Sequence, residues 1–126
     1  MPEPGAGMTR QVAFPAGMDL LLSNDRLHWA VRAARTKQLR KAGFAVARQQ
    51  RLPRLGRVKI VAEWQPPDRR RRDAAAIAPT VKALVDGIVD AGVLADDCGT
   101  LLTEEIYRIG PVYPAGRVVL FIEEVP

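Results

Sequence analysis

Short apolar runs alternate with polar punctuation along the chain, and their spacing predicts the elements in turn. Gln11-Val12-Ala13-Phe14 reads as a short strand broken by Pro15 and Gly17, with Asp19 to Leu22 continuing or replacing it. Ser23-Asn24-Asp25 offers three residue types that favour a helix N-cap, so a helix is predicted from about Asp25 to Ala47. Leu27, Val31, Ala34, Ala42, Ala45 and Val46 recur at helical spacing, while Arg32, Arg35, Arg40, Lys41 and Arg48 fall mostly elsewhere on its surface. Gly43 weakens this helix and marks a place where it can stop.

After a basic turn punctuated by Pro53, Val58-Lys59-Ile60-Val61-Ala62-Glu63-Trp64 alternates as a half-buried strand does, and Pro66-Pro67 ends it. Pro79 suits the first position of a second helix, whose apolar face is Val81, Leu84, Val85, Ile88 and Val89 and whose stop is Gly92. Thr103 to Ile109 and Arg117 to Ile122 read as two further strands, separated by a Gly- and Pro-rich turn from Gly110 to Gly116. The predicted order is β-α-β-α-β-β: a single α+β domain over residues 10–126 with a small mixed sheet and two main helices, preceded by a loose tail at 1–9.

Composition adds boundaries to this picture. The 126 residues suffice for one core, and 48% hydrophobic with 26% charged residues is an ordinary globular mix. No apolar run reaches the roughly 20 residues that span a membrane, and the first residues lack the order of a signal peptide. The single cysteine, Cys98, excludes an internal disulfide and a cysteine-built zinc site, and the expected compartment is a reducing, cytoplasmic one.

The charge is divided along the chain. Arg26 to Arg72 holds fifteen Lys or Arg against Glu63 and Asp68, whereas from Asp73 onward nine acids face Lys82, Arg108 and Arg117. A basic half suits a polyphosphate and an acidic half suits a metal site facing it; the plainer alternative is two solvated faces of opposite sign.

Chemistry concentrates around Asp68-Arg69-Arg70-Arg71-Arg72-Asp73. Arginines in an extended loop can pair bidentately with phosphates, or else satisfy local acids such as Asp68 and Glu63. Asp73, Asp96 and Asp97 are hard oxygen donors of the kind Mg²⁺ takes, but a helix over 79–91 spans about 20 Å, so local geometry alone does not unite them. Asp73 as a turn or capping residue, and Asp96-Asp97 as a solvated turn, are the plainer readings. Lys82 is either a surface lysine paired with Asp86 or a point charge for a phosphoryl-transfer transition state. His28 has no partner in the sequence, and Trp29 and Trp64 read as core or core-edge residues, or as platforms for an unpaired base. The chain has no Gly-rich phosphate loop and no nucleophile elbow, which leaves metal–carboxylate chemistry as the enzyme option.

Taken in order, Pro67-Asp68-Arg69-Arg70-Arg71-Arg72-Asp73, Lys82-Ala83-Leu84-Val85-Asp86-Gly87 and Asp90-Ala91-Gly92-Val93-Leu94-Ala95-Asp96-Asp97 resemble the RusA family of Holliday junction resolvases. Leu22-Ser23-Asn24-Asp25-Arg26-Leu27-His28-Trp29 is similar to that family's opening before its first helix, so the resemblance runs from about residue 18 to 124. It implies a RusA-like fold and a homodimer that resolves four-way DNA junctions by paired nicks with Mg²⁺ or Mn²⁺, in a bacterial or phage-infected cell. It implies Asp73, Asp96 and Asp97 as metal-binding catalytic carboxylates, Lys82 as a catalytic lysine, and Arg69, Arg70, Arg71 and Arg72 near the scissile phosphate. Arg32, Arg35, Arg40 and Lys41 of the basic helix are the further DNA-binding candidates. The sequence departs from the family after the arginine run, where Asp-x-Asp-Asn is common: here Ala75 and Ala76 stand where an oxygen ligand is expected.

Three functions follow as expectations: a metal-dependent junction endonuclease, a catalytically weak or inactive junction-binding protein of the same fold, and a basic nucleic-acid-binding domain without a metal site. If the basic half is the binding surface, affinity for a four-way junction falls by orders of magnitude between roughly 50 and 200 mM salt; a flat response in a binding titration would exclude that surface.

Overall fold

The computed structural model describes residues 9–95 and 101–126. Four strands and two helices form in the predicted order: β1 (Thr9–Ala13), α1 (Trp29–Gln49), β2 (Val58–Gln65), α2 (Ala78–Asp90), β3 (Leu102–Ile109) and β4 (Arg117–Glu124). A single 3₁₀ turn, Ala74–Ile77, leads into α2. Thr9, expected in the tail, opens β1, and residues 1–8 lie outside the described residues.

The strands form one mixed sheet in the order β1-β4-β2-β3. β4 is antiparallel to both β1 and β2, whereas β2 and β3 run parallel, joined by a crossover through α2. The Gly110–Gly116 segment is therefore not a hairpin, because β2 lies between the strands it connects. Alternation decides the faces: Val58, Ile60, Ala62 and Trp64 of β2 and Val118, Leu120 and Ile122 of β4 are buried in one core with Leu39, Leu84 and Ile88 of the helices. Among the described residues no helix is long and apolar enough to cross a membrane.

The two helices meet backbone to backbone. A Cβ built on Gly43 of α1 would collide with the Leu84 carbonyl oxygen of α2, and one on Gly87 would collide with the Arg40 carbonyl oxygen. Gly43 is thus the contact point of the helix rather than its end, and α1 continues to Gln49. On the surface beside the crossing, the Arg40 guanidinium grips both oxygens of Asp90, at 2.8 Å through Nη2, and this hydrogen bond holds the Asp90 carboxyl below the usual carboxylate range.

The start of α1 differs from the expectation. Its N-cap is His28, whose Nδ1 accepts the Ala30 N–H at 3.1 Å. Asp25 is not available for that task, because its Oδ2 accepts the Leu22 N–H at 3.0 Å and closes a turn instead. The first turns of α1 pack against little, and Trp29, expected at the core, is 77% exposed.

Since neither glycine has room for a methyl group, Gly87→Ala should cost about 2–3 kcal/mol, in the upper range for overpacking. Thermal unfolding should show a midpoint lowered by roughly 10 °C. An unchanged midpoint would mean the helices can separate at no cost.

Candidate nucleic-acid interface

At the C-terminal end of β2 the chain turns through Pro66-Pro67 into the arginine run, and here a groove of about 500 Å³ opens. Its rim is cationic: Arg70, Arg71, Arg72 and Arg117 line it, with Asp73 beside them. Its floor is apolar, built from the edges of Phe14, Leu39, Trp64, Leu84 and Val118, and from the half-buried Met18, Leu20 and Leu22.

Met18, Leu20 and Leu22 belong to a segment whose residues Asp19 to Leu22 are expected to continue or replace the first strand, and it is not a strand. It is tied to α2, to the 3₁₀ turn before it and to α1. The buried Thr80 hydroxyl accepts the Leu21 N–H at 2.8 Å and donates to the Leu21 carbonyl at 2.7 Å. The Ser23 N–H reaches the Ala76 carbonyl at 2.9 Å, and Arg35 Nη1 donates to the Leu20 carbonyl at 3.1 Å. Leu21 is buried, so its N–H and carbonyl are groups that burial would otherwise penalise.

The four consecutive arginines do different things. Arg72 is mostly buried: its Nη1 reaches Asp68 Oδ1 at 2.8 Å and also donates to the carbonyls of Asp68 and Arg70, each at 3.0 Å. Its guanidinium lies 5.5 Å from the centre of the Trp64 ring. Arg70 bonds Asp68 through Nε at 3.2 Å while remaining 84% exposed. Asp68 is therefore held ionised, its carboxyl pulled below the ordinary range first by the Arg72 hydrogen bond and then by the Arg70 N–H. Arg69 and Arg71 are exposed and form no side-chain hydrogen bond or ion pair with other described residues.

Arg117, by sequence only one of three positive charges in the acidic half, belongs to the same rim. Its Nε donates to Gln65 Oε1 at 2.7 Å and its guanidinium stacks 3.9 Å from the centre of the Tyr113 ring. Gln65 in turn donates from Nε2 to Glu63 Oε2 at 2.8 Å, and Arg108 Nε donates to Glu63 Oε1 at 3.1 Å. Glu63 is thus satisfied by Gln65 and Arg108, not by the arginine run. This chain of bonds leaves the two terminal nitrogens of Arg117 unbonded among the described residues. The signal in the sequence was the two-residue alternation that puts Glu63 and Gln65 on one face of β2; what they would meet there depends on β3 and β4.

The predicted acids divide. Asp73 lines the groove, exposed, and its Oδ1 accepts the Ala75 N–H at 3.1 Å as N-cap of the 3₁₀ turn, which leaves Oδ2 unbonded. Asp96 and Asp97 lie outside the described residues. Among the described residues no group of three His, Cys, Asp or Glu is placed to hold a metal ion. Lys82 does not line the groove; it is on the exposed side of α2 and donates to Asp86 Oδ1 at 2.9 Å, the i,i+4 pair expected as the plainer alternative. Ala75 is exposed, but Ala76 is buried at the edge of the core, so alanine at 76 serves packing.

The side chains of three of the four candidates on the basic helix have partners. Arg40 is engaged by Asp90, Arg35 by Leu20, and Arg32 by the Asp25 carbonyl at 3.4 Å, whereas Lys41 is exposed without a side-chain partner among the described residues. None of these four lines the groove. No family model and no curated protein matches the chain.

The division of the arginines is testable. Arg72→Ala removes the anchor of the loop and should lower the unfolding midpoint by several degrees. Arg71→Ala should leave the midpoint unchanged; if the groove is a DNA-binding surface, it should also weaken binding to DNA and reduce the slope of log affinity against log salt by about 1. Equal effects of the two variants on both measurements would refute the assignment.

Proposed function

We propose that the protein binds branched DNA through the arginine-rimmed groove and nicks it with a divalent metal ion, as a homodimer acting on four-way junctions in the cytoplasm of a bacterial or phage-infected cell. The observation that carries the reading is the convergence of Arg70, Arg71 and Arg117 with the Asp73 carboxylate on one groove. The resemblance of the arginine run, Lys82 and Asp96-Asp97 to RusA-family resolvases supports the substrate class and the paired nicks. Two-fold symmetry is the usual form of such an assembly.

The chain's own residues divide the work. Arg71 and the terminal nitrogens of Arg117 donate to phosphate oxygens, Arg70 joins them from its exposed position, and Arg72 keeps the loop in place. Asp73 has one carboxylate oxygen outside its capping bond, which fits a hard cation that takes one or two carboxylates together with substrate phosphate and water. Asp73, Asp96 and Asp97 would hold Mg²⁺ or Mn²⁺. When bound, such an ion polarises the phosphate and makes water a better nucleophile. Lys82 is paired with Asp86 away from the groove, and would have to leave that pair to offset developing negative charge in this scheme.

A second reading, junction binding without cleavage, is favoured by a specific observation. Asp73 is the one carboxylate lining the groove among the described residues, and Ala75 and Ala76 bring no oxygen to it.

A labelled four-way junction and a matched duplex, each with Mg²⁺, Mn²⁺ or EDTA, separate the readings. Symmetric, metal-dependent nicking that disappears in Asp73→Asn is the expected result. Junction-selective binding without nicking would establish the second reading, and equal affinity for duplex and junction would overturn both. Ala75→Asp adds a carboxylate at an exposed position and should raise cleavage if the metal shell is thin. Asn at position 76 is the poorer probe, because that side chain enters the core edge.

A further inference from the structure

A groove built only to hold the DNA backbone needs cations and little else. This one combines a cationic rim with an apolar floor, and at about 500 Å³ it is the size of a small-molecule site rather than of a duplex. Phosphate gains nothing from the half-buried Met18, Leu20 and Leu22, whereas a nucleobase presents a flat face that such a floor can cover. Arg71 and Arg117 stand at the rim with donors to spare, so a phosphate held there would direct the attached sugar and base onto the floor. The floor offers few polar groups: the exposed Asn24 lies at its edge, and the Leu21 backbone is already satisfied by Thr80. Such a lining tolerates any base.

We propose that the groove receives one unstacked nucleotide, its phosphate on Arg71 and Arg117 and its base on the apolar floor formed by Met18, Leu20 and Leu22. The inference rests on the reading of the protein as a branched-DNA binder and gives its structure selectivity a physical source. Drawing a base out of a stack costs least where it is already unpaired or poorly stacked, as at a branch point. A regular duplex has to be disrupted before it can fill the groove.

The sequence contains two tryptophans, so Trp29→Phe leaves Trp64, which lines the groove and is 6% exposed, as the sole tryptophan, excited selectively beyond the tyrosine absorption. This protein is titrated with deoxyadenosine monophosphate, deoxyadenosine and inorganic phosphate, by Trp64 emission and by calorimetry on the same samples. Calorimetry covers a ligand that leaves the emission unchanged. The nucleotide should bind at least about tenfold more tightly than phosphate or the nucleoside. Asn24→Phe, which fills the groove from its exposed edge, should remove that advantage. In parallel, 2-aminopurine placed beside the branch of a four-way junction in EDTA should brighten on binding, and the same base inside a linear duplex should not.

Equal affinity for nucleotide and phosphate would overturn the inference and leave an anion site. Junction binding with no nucleotide binding and no 2-aminopurine response would overturn it while the proposed function stands. Nucleotide binding without junction binding would keep the pocket and overturn the proposed function.

Discussion

Helices α1 and α2 touch through their backbones at Gly43 and Gly87, and the placement of the groove follows from that contact. With no side chain between them, the helices lie together on one face of the sheet and share Leu39, Leu84 and Ile88 with the inward residues of β2 and β4. α2 begins just after the arginine-rich loop that leaves β2 and the 3₁₀ turn that follows it. Thr80, on the first turn of α2, can then hold the segment around Leu21 by its N–H and carbonyl together. The wall of the groove is thus a consequence of helix packing rather than of any preference of residues 18–22 for strand or helix.

The arginine-rich loop shows how one composition carries two tasks. A run of like charges repels itself and is ordinarily solvated. Here Asp68 accepts from two of the arginines, and Trp64 offers a ring beneath Arg72, so part of the run becomes a scaffold. The remaining positive charge is left at the rim, where Arg117 joins it from β4 through a relay of Gln65, Glu63 and Arg108. Glu63 and Gln65 of that relay are buried while Arg108 is half exposed, and each member has a partner.

The alanines after Asp73 also have distinct physical reasons. Ala75 supplies the N–H that Asp73 caps, with its methyl group exposed. Ala76 packs inward, and its carbonyl accepts from Ser23. Asp73 therefore has a structural duty at the 3₁₀ turn in addition to any role toward phosphate. One of its oxygens serves the turn and the other has no hydrogen-bond partner among the described residues.

The sequence by itself determined the elements whose signals are local. Period-two alternation gave β2, Pro79 and Gly92 bounded α2, and the order β-α-β-α-β-β followed with its single mixed sheet. The loop character of the arginine run and the capping alternative for Asp73 were legible for the same reason, since turns and caps are made by near neighbours. Tertiary structure decided whatever required a partner far along the chain. Gly43 reads as a helix breaker until Gly87 is brought against it, and Asp25 reads as a helix cap until its carboxylate turns back to the Leu22 N–H and His28 caps α1 instead. Trp29 reads as core until the first turns of α1 are found to pack on little, and Arg117 reads as a stray charge until β4 lies beside β2. Hydrogen-bond donors and apolar faces are properties of residues, but which of them meet is set by the sheet order and the helix crossing, and neither is encoded in local spacing.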